Sequence, residues 1–183
     1  VFLKAAAVTN PAFKMTFGNM SEVVFLLLLP WFLKKWGVKW VVVAGMCAWI
    51  VRYALFAAGA PDAVAWMILG GILLHGLCYD FVYIAGQIYL DRVASPAIRA
   101  RAQGLFVLVS YGVGQGIGTL AAGYVFNHTV TGQGQEALLQ WQHFWIIPVV
   151  FASMVTAVFL LGLKNKEQDK DTPAAQEQAP VLS

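Results

Sequence analysis

The chain has 183 residues, of which 60% are hydrophobic and only 11% are charged, and its mean hydropathy is +0.69. Soluble domains carry about 25% charged residues, so this composition excludes an ordinary soluble domain. The net charge of +3 is too small to indicate nucleic-acid binding. The composition predicts an integral membrane protein.

Five apolar segments are long enough to cross a bilayer, which takes about 20 helical residues. They lie at 13–33, 40–59, 63–90, 97–126 and 143–163 and are called the first to fifth spans. Open strands cannot satisfy their backbone groups in lipid, so we predict an all-α, polytopic transmembrane helix bundle. The polar segment 164–183 is predicted to be a disordered tail.

Positively charged residues are distributed asymmetrically between the predicted connections, as in proteins with a fixed membrane orientation. Lys and Arg occur between the first and second spans, between the third and fourth spans, and after the fifth span, whereas segments 60–62 and 127–142 contain none. We therefore expect a multi-pass protein of the cytoplasmic (inner) membrane with a cytoplasmic C-terminus. Because the chain starts at Val1 with no signal peptide, we expect earlier helices in the complete protein.

Three charged side chains lie deep inside the spans, where a charge costs about 2.5–3.5 kcal/mol and marks a candidate functional site. Counted at about 1.5 Å per helical residue, Glu22, Arg52 and Asp80 all lie near the bilayer midplane, together with Gln115. Arg52 can pair fully with only one acid, and the short first connection favours Glu22. Asp80 is then the freer acid and our candidate proton carrier, with Glu22 as the other candidate. A purely structural or snorkelling role for Arg52 remains an alternative.

Two polar stripes follow from helical spacing: Gly76, Asp80, Tyr83 and Gln87 on the third span, and Asn19 and Glu22 on the first. They would suit a polar, planar solute, although amides and tyrosines also simply join membrane helices. His75 lies about 140° around an ideal helix from Asp80. We therefore expect His75 to face away from that solute, in a structural or lipid-edge position.

Enzyme chemistry is not predicted. A membrane aspartyl protease needs a second aspartate beside Asp80, but Asp62 and Asp91 lie at span ends on opposite sides of the membrane. Cys47 and Cys78 form no spaced metal motif, and no nucleophile motif occurs. We expect no metal, no cofactor and no catalytic residue.

Four stretches, in this order, resemble the nucleoside:proton symporter branch of the major facilitator superfamily: "SEVVFLLLLPWFLKKWGVK" (21–39), "AWIVRYALFA" (48–57), "CYDFVYIAGQIYLD" (78–91) and "SPAIRARAQGLF" (95–106). The resemblance implies that the five spans correspond to the eighth to twelfth helices of a twelve-helix transporter, a partial major-facilitator fold. It also implies substrate contacts or residues needed for uptake at Asn19, Glu22, Tyr79 and Asp80, and a supporting ion-pair role for Arg52 away from the cavity.

From these observations we expect the C-terminal part of a secondary transporter that takes up nucleosides with protons by alternating access. Its expected partners are a nucleoside or similar small polar solute, protons, the lipid bilayer and the missing N-terminal half. Two alternatives remain: a major-facilitator transporter of another solute such as a sugar, and a non-transporting membrane scaffold or receptor.

Overall fold

A computed structural model describes residues 2–6 and 10–170, and within them every regular element is helical. The α-helices are α1 Phe2–Ala5, α2 Pro11–Gly59, α3 Ala65–Tyr79, α4 Ala85–Val93, α5 Arg99–Val107, α6 Gln115–Thr129 and α7 Gly134–Lys170. Two π-helical segments, Asp80–Ile84 and Leu108–Gly114, join α3 to α4 and α5 to α6. The all-α prediction is confirmed.

Helix α2 covers the first two predicted spans and is broken between them at Gly37. This residue has φ 73° and ψ 165°, a conformation that L side chains rarely adopt, so glycine is required to break the helix there. The break divides α2 into segments 11–36 and 38–59, which match the first and second predicted spans. Three further helical rods, 65–93, 99–129 and 134–162, are long and apolar enough to cross a membrane. The described residues thus contain four helices of this kind, and the longest is broken at Gly37, inside the predicted connection between the first two spans; the number of five spans stays a prediction.

The fifth span begins at Gly134 rather than at 143. Its first turns are mixed in polarity, so hydropathy alone places them in a loop. The apolar side chains Ala137, Leu138 and Trp141 are nevertheless buried, and Trp141 packs against Phe2 of α1 with ring centroids 5.3 Å apart. The aromatic contacts of this amphipathic turn extend the helix.

The predicted disordered tail overlaps the end of α7, which reaches Lys170. Residues 171–183 of that tail lie outside the described residues. The disorder predicted for 164–170 is thus not found, and that of 171–183 stays a prediction.

The first three spans form the packed part of the bundle. Leu29, Val41 and Phe81, one from each of these spans, are at most 1% exposed and belong to one hydrophobic cluster. Helices α5 and α6 of the fourth span contain no buried residue. The fourth span therefore lies at the edge of the bundle.

Candidate functional site

The first and third spans approach most closely at Gly76. The Gly76 amide donates to Ser21 Oγ (3.2 Å), and the Ser21 hydroxyl donates to the Gly18 carbonyl (2.6 Å). A Cβ atom on Gly76 would meet the backbone nitrogen and Cα of Glu22. This glycine therefore lets the backbone of Glu22 lie against the third span, one helical turn before Asp80.

Asp80 is the first residue of a π-helical segment and is 1% exposed. Its Oδ2 atom is buried and has no hydrogen-bond partner. Among the described residues, no Lys or Arg nitrogen lies within 4.0 Å of its carboxylate. The ion pair found in this part of the chain joins Arg99 to Asp91 at a span end, away from Asp80. A carboxylate in this position is costly to keep charged in a medium without water.

The predicted ion pair between Arg52 and Glu22 is wrong. In the described part of the chain the Arg52 guanidinium contacts His75 instead, with Nη1 2.6 Å from Nδ1 of the imidazole. The guanidinium carbon lies 5.9 Å from the Trp49 ring centroid and 5.6 Å from that of Phe56. These two rings on the same helix direct the guanidinium towards His75 on the third span.

Of the two positions expected for His75, structural or lipid-edge, the contact with Arg52 matches the structural one. His75 lines a cavity of about 580 Å³ together with Arg52 and Asn19. The rest of the lining is largely apolar and aromatic and includes Phe56 and Trp145. His75 and Asp80 lie on different sides of the third span, as the ideal-helix angle predicts, but the cavity is on the side of His75. Because His75 binds Arg52 there, Arg52 also faces this cavity, whereas the resemblance implied a position for Arg52 away from the cavity.

A cluster of three tyrosines joins the third and fourth spans. The Tyr79 hydroxyl contacts the Tyr111 hydroxyl, and the Tyr83 ring centroid lies 5.3 Å from each of the other two. Tyr111 stands in the second π-helical segment and was missed from the sequence, although a lone tyrosine before a glycine-rich run at membrane depth could have drawn notice. The cluster presents aromatic rings and hydroxyls close to Asp80.

Gln87 and Gln115 lie apart from these groups. Gln87 lines a separate groove with Asp91 and Gln103, and Gln115 is exposed on the edge helix α6. The π-helical segment Asp80–Ile84 explains the first departure, because its wider turn rotates the residues that follow relative to a regular α-helix. Gln87 therefore leaves the predicted polar stripe, and among the described residues Gln115 does not contact the other predicted site residues; its predicted depth near the midplane stays a prediction.

Comparison with known proteins gives consistent matches along the chain. A family model described as "Nucleoside H+ symporter" matches residues 1–168. The xanthosine permease of Escherichia coli (strain K12) is 30% identical over 171 residues, which cover 92% of this chain and 40% of that relative. Nucleoside permease NupG of the same organism is 32% identical over 167 residues, covering 91% of this chain and 39% of the relative.

The crystal structure of nucleoside transporter NupG superposes on this chain with a TM-score of 0.75 and 30% sequence identity. The match covers 89% of this chain and 40% of that one. The chain thus spans about 40% of the length of the curated relatives it matches.

Proposed function

The chain belongs to the nucleoside H+ symporter family, and on that premise we propose that it forms part of a secondary transporter for proton-coupled nucleoside uptake. The observation that carries the proposal is the family match over residues 1–168 combined with a buried, unpartnered carboxylate at Asp80 inside a membrane span. The complete transporter would carry out uptake. The five spans would correspond to its eighth to twelfth helices and would work against a partner half by alternating access.

The nucleoside would bind between the His75 cavity and the tyrosine cluster. Asn19 lines the cavity and offers an amide to sugar hydroxyls or base edges. The volume of the cavity, about 580 Å³, suits a small polar ligand. Tyr79 and Tyr83 offer rings on which a planar base can stack. Gln87 and Gln115 would require a change of conformation to reach the same solute, because they lie apart from it here.

Asp80 and Glu22 would carry the proton. Protonation of Asp80 removes a charge that has no cationic partner among the described side chains, so it would favour a conformation in which this part of the third span is closed from water. Glu22 adjoins the third span at Gly76 and would share the same proton. Both acids thus offer a link between proton binding and the packing of the first and third spans.

The transporter would lie in the cytoplasmic membrane, with the connections around Gly37 and Ser95, and the C-terminus, on the cytoplasmic side. Single cysteines placed at the exposed residues Asp62 and Arg92 in an otherwise cysteine-free transporter would test this orientation. A membrane-impermeant maleimide added to intact cells should label Asp62→Cys and spare Arg92→Cys. The reverse pattern would overturn the orientation.

Uptake of labelled uridine at pH 6 and pH 8, in cells lacking other nucleoside transporters, would test the function. We expect uptake that rises at the lower pH, is competed by nucleosides rather than free sugars, and is abolished by Asp80→Asn or Glu22→Gln. Asp62→Asn, at an exposed turn, is the matched control and should retain uptake. Competition by sugars, or full pH-dependent uptake in both acid variants, would refute the proposal.

A further inference from the structure

The Arg52–His75 pair places one cation in the wall of the cavity. Arginine stays protonated in proteins and has no acceptor, so the 2.6 Å contact must run from a guanidinium N–H to a lone pair on His75 Nδ1. The imidazole is therefore neutral in this arrangement and carries its proton on Nε2. Both side chains line the cavity with Asn19, so the pair offers hydrogen-bond donors there.

Among the described residues, Arg52 forms no ion pair. No carboxylate oxygen lies within 4.0 Å of its guanidinium, and its buried Nε has no hydrogen-bond partner. The aromatic rings of Trp49 and Phe56 stabilise the cation only in part. A desolvated guanidinium attracts a ligand that brings negative charge or several acceptor oxygens.

We propose that Arg52, held by His75, gives the transporter a preference for nucleosides with an acidic, oxygen-rich base. This inference rests on the proposed nucleoside transport. Among purine nucleosides, the xanthine base has two ring carbonyls and an acidic ring N–H, which ionises far more readily than the N–H of hypoxanthine. Xanthosine therefore brings the partial or full negative charge that the guanidinium lacks, whereas inosine, of almost the same size and shape, remains neutral.

The test compares initial uptake of labelled xanthosine with that of labelled inosine in cells expressing the complete transporter. Uptake is normalised to the amount of tagged transporter in the membrane, and the readout is the xanthosine-to-inosine ratio. Losing one charge-assisted hydrogen bond should lower that ratio by roughly tenfold to a hundredfold in Arg52→Gln. Arg52→Lys, which keeps the charge but loses the planar fork, should lower it less.

Two further variants separate recognition from general damage. His75→Gln keeps an acceptor for the guanidinium and should retain more of the ratio than His75→Phe, which leaves the guanidinium without its partner. Arg101→Gln removes an exposed arginine outside the cavity and should leave the ratio unchanged.

Three outcomes decide the inference. A fall in the ratio confined to the Arg52 and His75 variants supports it. An unchanged ratio in Arg52→Gln, with measurable uptake of both nucleosides, overturns the inference and leaves the proposed function standing. Failure of the unmodified transporter to take up any nucleoside overturns both.

Discussion

Replacing Gly76 with alanine should loosen the contact between the first and third spans. The added Cβ would lie 2.5 Å from Glu22 Cα and 2.5 Å from the Ser21 carbonyl carbon, whereas ordinary contacts begin near 3.4 Å. These are backbone atoms, so no side-chain rotation relieves the overlap, and the two helices must separate by about 1 Å. Overpacking of this kind costs about 1–3 kcal/mol, or roughly a 5- to 150-fold fall in the folded-to-unfolded ratio.

Thermal unfolding of the purified complete transporter in detergent, followed by tryptophan fluorescence, measures this loss. The matched control is Gly123→Ala on helix α6, where a Cβ meets no atom within 4 Å. The control should unfold at the parent temperature or slightly above it, because alanine is the better helix former. If Gly76→Ala unfolds at the same temperature as Gly123→Ala, the close approach of the two spans is not as described.

Three further changes probe neighbouring contacts. Ser21→Ala removes the hydroxyl between Gly18 and the third span and should lower stability by about 0.6 kcal/mol in the same unfolding assay; unchanged stability would contradict the hydrogen bond from Gly76 to Ser21. Tyr111→Phe removes its hydroxyl contact with Tyr79 but keeps the ring, so the KM for nucleoside uptake should rise a few-fold; an unaltered KM would separate Tyr111 from the site. Trp141→Ala opens the aromatic cluster at the start of α7 and should cost about 3 kcal/mol of unfolding free energy, unlike Trp66→Ala at a 67% exposed position.

The helical structure and approximate length of the spans were predictable because a bilayer sets the length of a crossing helix and excludes backbone groups without hydrogen bonds. The break at Gly37 followed from the basic "KKWGVK" stretch between two apolar runs. The early start of α7 did not, because burial of Trp141 depends on Phe2, which is far away along the chain. A hydropathy average over neighbouring residues contains no information about which distant residue packs against Trp141.

The candidate site was predictable in part. Intramembrane charge identified Asp80, Glu22 and Arg52 because burying an ionisable group is costly wherever it occurs. The partner of Arg52 was mispredicted because loop length favoured a neighbouring helix, whereas the rings of Trp49 and Phe56 set the direction of the guanidinium. Local sequence contains no comparable information about which helix such a side chain will meet.

The π-helical segments at Asp80–Ile84 and Leu108–Gly114 have a consequence for comparing relatives. A π-turn arises when one residue is inserted into an α-helix, and deleting one residue restores the regular helix. Alignments of this family should therefore allow single-residue gaps within these two membrane helices, where gaps are normally forbidden. In a relative that lacks one of the inserted residues, the side chains that follow that point along the chain would be turned about 100° around the helix relative to those before it. Matching its residues by position number alone would then equate side chains that face different neighbours.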